Sequence, residues 1–534
     1  MTGVTHRKRN GVVYTDEPFV RRMISWGRLE SAIATKSFLD PACGEGAFLV
    51  PIARDIVTAL RSGSTPLPDP DIAERLADQV RGNDVNPASV TLCREALDAA
   101  VAELGISGVR WSLTSFDATG PEFEAHYRDS VDVVIGNPPY VRIQNIEPAT
   151  RENLRRFRAC QAGAIDLYLA FFEIGLSAAR SGGQVLFVTA NSFLTSSAGR
   201  SLRSILVENG WLDRLIDFGH HKVFKDATTY VAVTSLDTAR SSGDRTFDYA
   251  RWEGEEGPCW TAVASSEMLA ELPHLGKASD MEALKDIRSR RQGPKLGKAA
   301  RIHVGMVTLA DPVYIFRNPV FRGGAAEVTG PDGRAYALEA GILRRIIKAS
   351  TLKSAAEDQG YYVLFPYDRS TGRTLILPED RLRAEYPLAY AYLRSQKHLL
   401  DARDRGKPNP VAWYAFGRTQ GLDTAFGPKI LTSPMNIAPK FIKVDDPEVC
   451  FYSGYCVKSD GDLDALLNEL NSEDMRRFIE MTSKDYQNGY KSYAKRFIAE
   501  FPLASDVGSA AQAVPNQPLT TGVDPDPEDL DEAA

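Results

Sequence analysis

The sequence predicts an α/β protein in which a mainly parallel sheet is followed by a smaller, mixed α/β region. Short β-branched or apolar runs alternate with helical stretches from about residue 37 to residue 236, which is the pattern of a parallel sheet with crossover helices. After that the chain becomes rich in Gly, Ser and charged residues, and the alternation does not resume. The seven predicted strands are 37–40, 80–83, 109–113, 131–135, 184–189, 215–218 and 230–236.

The remaining elements divide the chain further. Residues 166–180 predict one strongly apolar helix that ends before Gly182-Gly183 and packs on the sheet. In the second half we expect strands at 313–316, 361–365 and 430–433 and amphipathic helices at 379–405 and 462–482. The predicted organisation is a first domain 1–245, a connecting region 246–300, a second domain 301–505 and an acidic, disordered tail 506–534.

Length and composition limit the class of protein. A chain of 534 residues is too long for one ordinary core, and no apolar run approaches the length of a membrane span. The six cysteines show neither metal-ligand spacing nor a disulfide framework, so we expect no metal site and a reducing cytoplasm. The net charge of −7 arises from seven acids beyond residue 504, and without them (−7 + 7 = 0) the chain is neutral overall and can carry a basic face.

The first predicted strand ends in a glycine turn. Phe38-Leu-Asp-Pro-Ala-Cys-Gly-Glu-Gly puts Asp40 at the strand tip and Gly44 and Gly46 in the turn that follows. Glycines let a backbone approach a ligand closely at the carboxyl end of a strand. Leu49 replaces the third glycine of a dinucleotide fingerprint, and Asp40 offers a partner for an ammonium group. The loop therefore favours an amino-acid-bearing nucleoside over NAD.

Two further acids end the next two strands. Asp84 follows the second strand, where a carboxylate can accept from both hydroxyls of a ribose. Asp117 follows the third, where it can accept from an adenine amino group while Phe116 packs on the ring. Each acid alone is equally consistent with a helix cap or a surface loop. Three acids at three successive strand ends indicate a ligand site.

The fourth strand delivers the most specific motif, Asn137-Pro138-Pro139-Tyr140. Prolines fix φ and remove N–H donors, so this loop is stiff and offers acceptors. The nitrogen of an aryl or amide N–H₂ is a poor nucleophile because its lone pair is delocalised. Acceptance of its two hydrogens by the Asn137 side-chain oxygen and the Pro138 carbonyl favours a tetrahedral nitrogen whose lone pair faces a methyl donor. Tyr140 can stack on the planar substrate.

The order of these loops resembles the amino-methylating DNA methyltransferases of the gamma arrangement, such as the N6-adenine enzymes of type II restriction-modification systems. Gly11-Val-Val-Tyr-Thr15, with Asp16 at the position where that family usually has proline, resembles the segment before the first strand. Residues 183–191 resemble the fifth-strand motif, and Val223-Phe-Lys-Asp-Ala-Thr-Thr-Tyr resembles the motif that supplies a second aromatic wall around the extruded base, which would be Phe224.

This resemblance implies a Rossmann-like, seven-stranded S-adenosylmethionine-dependent methyltransferase domain followed by a mixed α/β DNA-recognition domain. The implied partners are S-adenosylmethionine, double-stranded DNA with its target base flipped, and a cognate restriction endonuclease, for a monomer in the bacterial cytoplasm. The implied catalytic residues are Asn137, Pro138, Pro139, Tyr140 and Phe224. The implied cofactor contacts are Thr15, Asp40, Ala42, Gly44, Gly46, Asp84, Phe116, Asp117 and Asn137.

The second half resembles, more loosely, the specificity domain of the same enzymes. Gly305–Phe316, Ile347–Lys353 and Trp413–Gln420 carry that similarity, and 484–493 resembles a DNA-facing basic aromatic loop. The expected DNA contacts are Arg418, Gln420, Lys348, Lys353, Lys484 and Tyr486. The basic clusters that can hold phosphates are Arg288/Arg290/Arg291, Arg344/Arg345/Lys348 and Arg403/Arg405/Lys407.

Three alternatives remain open at the level of sequence. The same tetrapeptide serves enzymes that methylate a glutamine amide in release factors, although those chains are shorter. Cytosine-N4 methyltransferases are similar too, but commonly have Ser where Asn137 stands. A catalytically silent DNA-binding subunit is the third alternative, and the intact tetrapeptide argues against it. We find no nuclease motif that indicates a restriction-methylase fusion.

Overall fold

A computed structural model describes residues 15–504 except 64–65, 162–164, 197, 220, 222, 225–229, 242, 244, 255–256 and 270–274. The chain divides into two compact units, Met1–Met281 and Glu282–Ala534. Within the described residues, no helix has both the length and the apolar character needed to cross a membrane. The predicted tail 506–534 and most of the Gly11–Thr15 motif lie outside the described residues.

The first unit is built on a nine-stranded mixed sheet in the order β3-β2-β1-β4-β5-β7-β6-β8-β9. Its strands are β1 (Phe38–Asp40), β2 (Val80–Asn83), β3 (Ser112–Thr114), β4 (Val131–Gly136), β5 (Ala179–Ala190), β6 (Leu212–Asp217), β7 (Val231–Asp237), β8 (Thr246–Arg251) and β9 (Thr261–Ala264). The first five strands in the order β3-β2-β1-β4-β5 are parallel to their neighbours, whereas β7 is antiparallel to β5 and β6. The carboxyl ends of β1 to β4 therefore meet at one edge of the sheet.

Helices cover this sheet on both faces. They are α1 (Glu17–Trp26), α2 (Leu49–Ser62), α3 (Asp69–Gln79), α4 (Pro87–Ala102), α5 (Pro121–Tyr127), α6 (Pro148–Asn153), α7 (Tyr168–Ala178) and α8 (Gly199–Glu208), and α9 (Ala278–Arg290) follows β9. Two buried apolar clusters form the core of the unit. The predicted apolar helix is α7, and eight of its eleven residues are buried, which explains why its sequence is apolar on every side.

Two predictions about this unit need correction. The seven predicted strands are present, but the sheet has nine, because β8 pairs in parallel with β6 and β9 pairs antiparallel with β8. The predicted connecting region 246–300 is therefore not a separate linker, since its first part completes the sheet. The chain passes from one unit to the other within α9.

The second unit combines several small sheets with short helices around one buried apolar cluster. Its strand orders are β10-β23-β19-β21, β11-β16-β15-β22, β12-β13-β14, β17-β18 and β20-β24. The strands are β10 (Arg301–Val304), β11 (Ile315–Arg317), β12 (Val320–Arg322), β13 (Ala325–Thr329), β14 (Ala335–Glu339), β15 (Leu343–Lys348), β16 (Tyr361–Leu364), β17 (Tyr367–Asp368), β18 (Leu375–Ile376), β19 (Lys429–Thr432), β20 (Met435–Asn436), β21 (Phe441–Val444), β22 (Cys450–Tyr452), β23 (Tyr455–Lys458) and β24 (Lys491–Ser492).

The helices of the second unit are short. They are α10 (Leu296–Ala299), α11 (Asp311–Tyr314), α12 (Glu379–Glu385), α13 (Pro387–Ser395), α14 (Lys397–Asp401), α15 (Arg403–Gly406), α16 (Leu463–Leu470), α17 (Glu473–Thr482) and α18 (Lys495–Ile498). The predicted strand at 313–316 is wrong in its first half. Pro312 stands in the first turn of α11, where a missing N–H costs nothing, so the chain turns helically before β11 begins.

Candidate active site

The glycine turn after β1 has the geometry that its sequence predicts. Gly44 and Gly46 have φ values of +52° and +93°, which favour glycine, and a Cβ on Gly44 would meet nothing within 4 Å. The Gly44 N–H donates to Asp84 Oδ2 at 3.0 Å, and the Asn86 N–H donates to Asp84 Oδ1 at 2.8 Å. The turn thus leaves open space beside a carboxylate that retains free lone pairs.

Asp40 lies beneath this turn and is 2% exposed. Its Oδ1 accepts from the Ala42 N–H at 3.0 Å, and a Cβ on Gly136 would stand 2.6 Å from the same oxygen. Burial raises the pKa of Asp40 to about 8, and the nearby charge of Asp84 acts in the same direction. Among the described residues no cation is paired with Asp40. A positively charged ligand beside it would therefore stabilise the ionised form of this buried carboxyl.

A residue that the sequence did not single out holds the turns together. Asn83 ends β2 and is fully buried. Its Nδ2 donates to the carbonyls of Pro41 and Phe116 at 3.1 and 3.0 Å, and its Oδ1 accepts from Thr114 Oγ1 and the Phe116 N–H, both at 2.9 Å. One amide thus bonds four groups, which lie at the end of β3 and on the turns that follow β1 and β3. β2 reads Val-Arg-Gly-Asn, so no local pattern in the sequence distinguishes Asn83.

The third acid is more occupied than its sequence position suggests. Asp117 Oδ1 accepts from the N–H and Oγ1 of Thr119 at 2.9 and 2.7 Å, and Oδ2 accepts from Thr150 Oγ1 at 2.9 Å. Phe116 is half-buried, with its ring 5.6 Å from that of His126. Asp117 is thus tied to the segment that follows the tetrapeptide as well as to its own turn.

The tetrapeptide at the end of β4 is held by side-chain hydrogen bonds. Asn137 Nδ2 donates to Thr15 Oγ1 at 3.1 Å, and Asn137 Oδ1 accepts from the Tyr140 hydroxyl at 2.6 Å. That hydroxyl also lies 3.3 Å from the Val188 carbonyl. These contacts fix the rotation of the Asn137 amide, because its nitrogen faces an acceptor and its oxygen faces a donor. Thr15 is 2% exposed, so the contact is shielded from water.

Asp166 is a second residue that the sequence missed. A short antiparallel bridge joins Arg142 to Asp166, and the Leu167 N–H donates to the Val141 carbonyl at 3.0 Å. Burial raises the pKa of the Asp166 carboxyl to about 6, and its charge in turn raises the pKa of Tyr140, whose own burial has the larger effect. The Asp166 carboxyl therefore lies close to the tetrapeptide, two residues before the start of α7.

Phe224, the expected second aromatic wall, is 5% exposed and packs on Phe19, with 5.8 Å between ring centroids. It lies in the same buried cluster against which Tyr140 packs. Residues 225–229 of its motif lie outside the described residues. Asp16, at the family's usual proline position, caps α1 by accepting from the Phe19 N–H at 3.0 Å, so its role here is structural.

Several of the basic residues proposed for DNA contact in the second unit have internal partners. Arg418 pairs with Asp404 at 3.3 Å, and Gln420 is half-buried. The Lys348 ammonium lies 5.9 Å from the Tyr452 ring and that of Lys484 lies 5.6 Å from the Tyr486 ring. Lys353 is exposed.

Two of the predicted phosphate clusters are partly internal. Arg403 is buried and donates to the carbonyls of Leu400, Thr308, Ala415 and Trp413. Arg290 and Arg291 form ion pairs with Asp474. These guanidinium groups stabilise the unit itself, so they are not available as they stand to hold phosphates.

The chain is similar to known methyltransferases. A family profile described as the Eco57I restriction-modification methylase matches residues 105–224, which include the tetrapeptide, and one described as an RMKL-like methyltransferase domain matches residues 27–157. The chain is 25% identical over 504 residues to the type II methyltransferase M.PaeR7I of Pseudomonas aeruginosa, with 87% of this chain and 80% of that protein aligned.

Further relatives differ in length. The chain is 24% identical to the type II methyltransferase M.XhoI of Xanthomonas vasicola, with 87% of this chain and 85% of the relative aligned. It is 26% identical to the restriction enzyme and methyltransferase RM.Eco57I of Escherichia coli, with 59% of this chain aligned to 32% of that protein, so the alignment spans about a third of the relative. The solved structure of the type IIL restriction-modification enzyme MmeI with DNA shares the fold at a TM-score of 0.61 and 16% identity, and the match covers 92% of this chain and 68% of MmeI.

The buried amide of Asn83 gives a prediction about stability. Replacement by Ala removes one hydrogen-bond partner from each of four buried or partly buried polar groups, and we expect Asn83→Ala to lower the free energy of unfolding by about 2–4 kcal/mol. Urea unfolding measures the loss. The matched control is Asn86→Ala, which removes one exposed helix cap and costs about 1 kcal/mol. Equal losses in the two variants would show that Asn83 does not hold the turns together.

Proposed function

We propose that the chain is a type II restriction-modification methyltransferase of the Eco57I family and that it methylates the N6 amine of adenine in double-stranded DNA. The single observation that carries the choice of reaction is the restrained amide of Asn137 in Asn137-Pro138-Pro139-Tyr140. The proposed role is the modification half of a system whose other half is a restriction endonuclease, as the names of its relatives suggest.

The proposed cofactor is S-adenosylmethionine, which supplies a methyl group on positively charged sulfur. The open backbone at Gly44 fits a ligand lying against the turn, and the carboxyl of Asp40 fits its ammonium group. Asp84 retains lone pairs for ribose hydroxyls after it has accepted from two backbone N–H groups. Asp117 and Phe116 would hold the adenine ring of the cofactor, while Thr15, Ala42 and Gly46 complete the proposed set.

Catalysis in this proposal consists of positioning and of hydrogen bonds that strengthen in the transition state. The Asn137 oxygen accepts from the Tyr140 hydroxyl, and in this proposal it also accepts a hydrogen of the substrate amine. The Pro138 carbonyl accepts the second hydrogen. As the nitrogen bonds to the methyl carbon and the carbon–sulfur bond breaks, the amine becomes positively charged, and these two acceptors stabilise that charge until one proton passes to water.

Tyr140 has two roles in this account. Its hydroxyl orients the amide of Asn137, and the face of its ring stacks on the target base, which must leave the helix to reach the site. Phe224 is the proposed opposite wall. Because the Phe224 ring is buried against Phe19, it would have to become exposed to stack on the target base when DNA binds.

Replacement of Asn137 should separate the methyl-transfer step from the binding of the cofactor. We expect Asn137→Ala to reduce methyl transfer to DNA to below about one-thousandth of the wild-type rate, because both the substrate acceptor and its orientation are lost. Cofactor affinity should stay within about threefold, since Asp40, Gly44 and Asp84, the main proposed partners of its amino acid and ribose, are unchanged. Transfer of tritiated methyl groups to duplex DNA and equilibrium dialysis of the cofactor measure the two quantities.

Tyr140→Phe is the matched control for that experiment. It keeps the ring for stacking and removes only the hydroxyl that holds Asn137, so we expect a loss of about tenfold in rate, the worth of one hydrogen bond. An unchanged rate in Asn137→Ala would contradict the proposed mechanism. Labelled methyl groups that appear in protein and never in DNA would contradict the proposed substrate.

The raised pKa of Asp40 should make the affinity for the cofactor depend on pH. Below a pKa of about 8 the Asp40 carboxyl is mostly protonated, so a cationic ligand must first displace a proton. We therefore expect cofactor affinity to rise between pH 6 and about 8, by at most tenfold per unit, above which the ligand's own ammonium begins to lose its proton. Calorimetry in buffers of different ionisation enthalpy should detect proton release on binding. In Asp40→Asn the rise and the proton release should both disappear; their persistence would exclude Asp40 as the partner of the ammonium group.

A further inference from the structure

A small hairpin in the second unit has the properties of a base-reading element. Residues 484–492, the tip hairpin, run out and back through a bridge between Asp485 and Lys491 and a hydrogen bond from the Tyr486 N–H to the Tyr490 carbonyl at 2.8 Å. Its second arm, β24, pairs with β20. The tip hairpin and β20 thus form a narrow antiparallel ribbon.

The base of this ribbon is firmly anchored. The Tyr493 N–H donates to the Pro434 carbonyl at 2.7 Å, and the buried Tyr493 ring packs 6.0 Å from that of Phe441. Lys491 Nζ donates to the Glu480 carbonyl at 2.9 Å and forms an ion pair with Asp485. An element fixed in this way loses little conformational entropy when it binds a partner.

The end of the tip hairpin exposes polar groups that the fold does not use. Gln487, Asn488 and Gly489 are all exposed, and the side-chain amides of Gln487 and Asn488 have no hydrogen-bond partner in the described part of the chain. Asn488 has φ of +60°, a conformation that Asn tolerates better than most residues, and this backbone sets the direction in which its side chain leaves the chain.

Apolar groups stand beside these amides. Asn436 of β20 is paired with Lys491 of β24, so the next residues outward are Ile437 on one strand and Tyr490 on the other. Ile437 is 60% exposed and Tyr490 is 40% exposed. Lys440 is exposed on the same loop as Ile437, and Lys484 begins the tip hairpin. The ribbon therefore ends in two amides and two apolar side chains, with cations behind them.

We propose that the tip hairpin enters the major groove of duplex DNA and that Gln487 and Asn488 read the edge of an A·T base pair. The major groove admits a two-stranded β-ribbon, and an Asn or Gln amide forms a bidentate pair with adenine N6 and N7. Ile437 and Tyr490 meet thymine methyl groups, while Lys440 and Lys484 face phosphates. This inference rests on the proposed function, for which a modified sequence must be recognised, and it assigns that task to residues other than the internally paired Arg418.

The test compares the sites that variants modify. Wild type, Gln487→Ala, Asn488→Gly and the control Asn468→Ala methylate plasmid DNA of mixed sequence, and single-molecule sequencing reports the modified sequences. Asn488→Gly removes the amide without straining the positive φ, and Asn468 is an exposed amide on α16. We expect each tip variant to lose about tenfold to a hundredfold discrimination at one position of the recognised sequence, and Asn468→Ala to lose none. An unchanged recognised sequence in both tip variants overturns the proposal.

A second measurement does not depend on methylation. Gln487→Cys in a Cys259→Ser background carries a tethered iron-EDTA group at the tip, because the other five cysteines are buried. Cleavage of bound duplex with the strand offset of the major groove supports the proposal. Uncut DNA, in a preparation whose wild type methylates DNA, overturns the proposal and leaves the proposed function standing. Cleavage by a protein that methylates no DNA supports the tip hairpin and contradicts the proposed function.

Discussion

The buried amide of Asn83 is the interaction on which the candidate site depends. Parallel strands place the turns after β1, β2 and β3 at one edge of the sheet, but adjacency alone does not fix the shape of irregular backbone. Asn83 bonds four groups at the end of β3 and on the turns that follow β1 and β3, while Asp84, the next residue, bonds Gly44. Because buried polar groups are costly when unpaired, this set of bonds favours one arrangement of the turns.

A similar constraint applies to the catalytic tetrapeptide. Its two prolines stiffen the backbone, but they do not determine how the Asn137 amide is rotated about its terminal bond. Thr15 and Tyr140 determine that rotation, one from before the first strand and the other from within the tetrapeptide. The proposed acceptor on Asn137 is neutral and is held in place before the substrate arrives. Such a preorganised acceptor stabilises charge that appears only during the reaction.

The sequence predicts the sheet well and the second unit poorly, for physical reasons. Buried parallel strands are often short apolar runs, so β4 is predicted within one residue of its observed bounds. β2, Val-Arg-Gly-Asn, is predicted at its observed bounds although it is not an apolar run. The strand β8 contains alternating polar residues near a Gly- and Ser-rich stretch, and only its pairing with β6 reveals it. The sequence does not show which basic residues form ion pairs inside the protein and which can bind phosphates. Arg291, for example, pairs with Asp474, which lies 183 residues further along the chain. The acids at strand ends were predictable because strand direction places them together, whereas Asn83 and Asp166 act through contacts that no local pattern records.

We propose that the methylated amine is that of adenine in DNA, and the modified bases in genomic DNA test this proposal directly. The chain is expressed in a bacterial host that lacks its own DNA methyltransferases, and the genomic DNA is read by single-molecule sequencing for modified bases. We expect N6-methyladenine at one recurring sequence in cells that express the wild-type chain and none in cells that express Asn137→Ala. N4-methylcytosine at a recurring sequence, or unmodified DNA from cells that contain the folded protein, would contradict it.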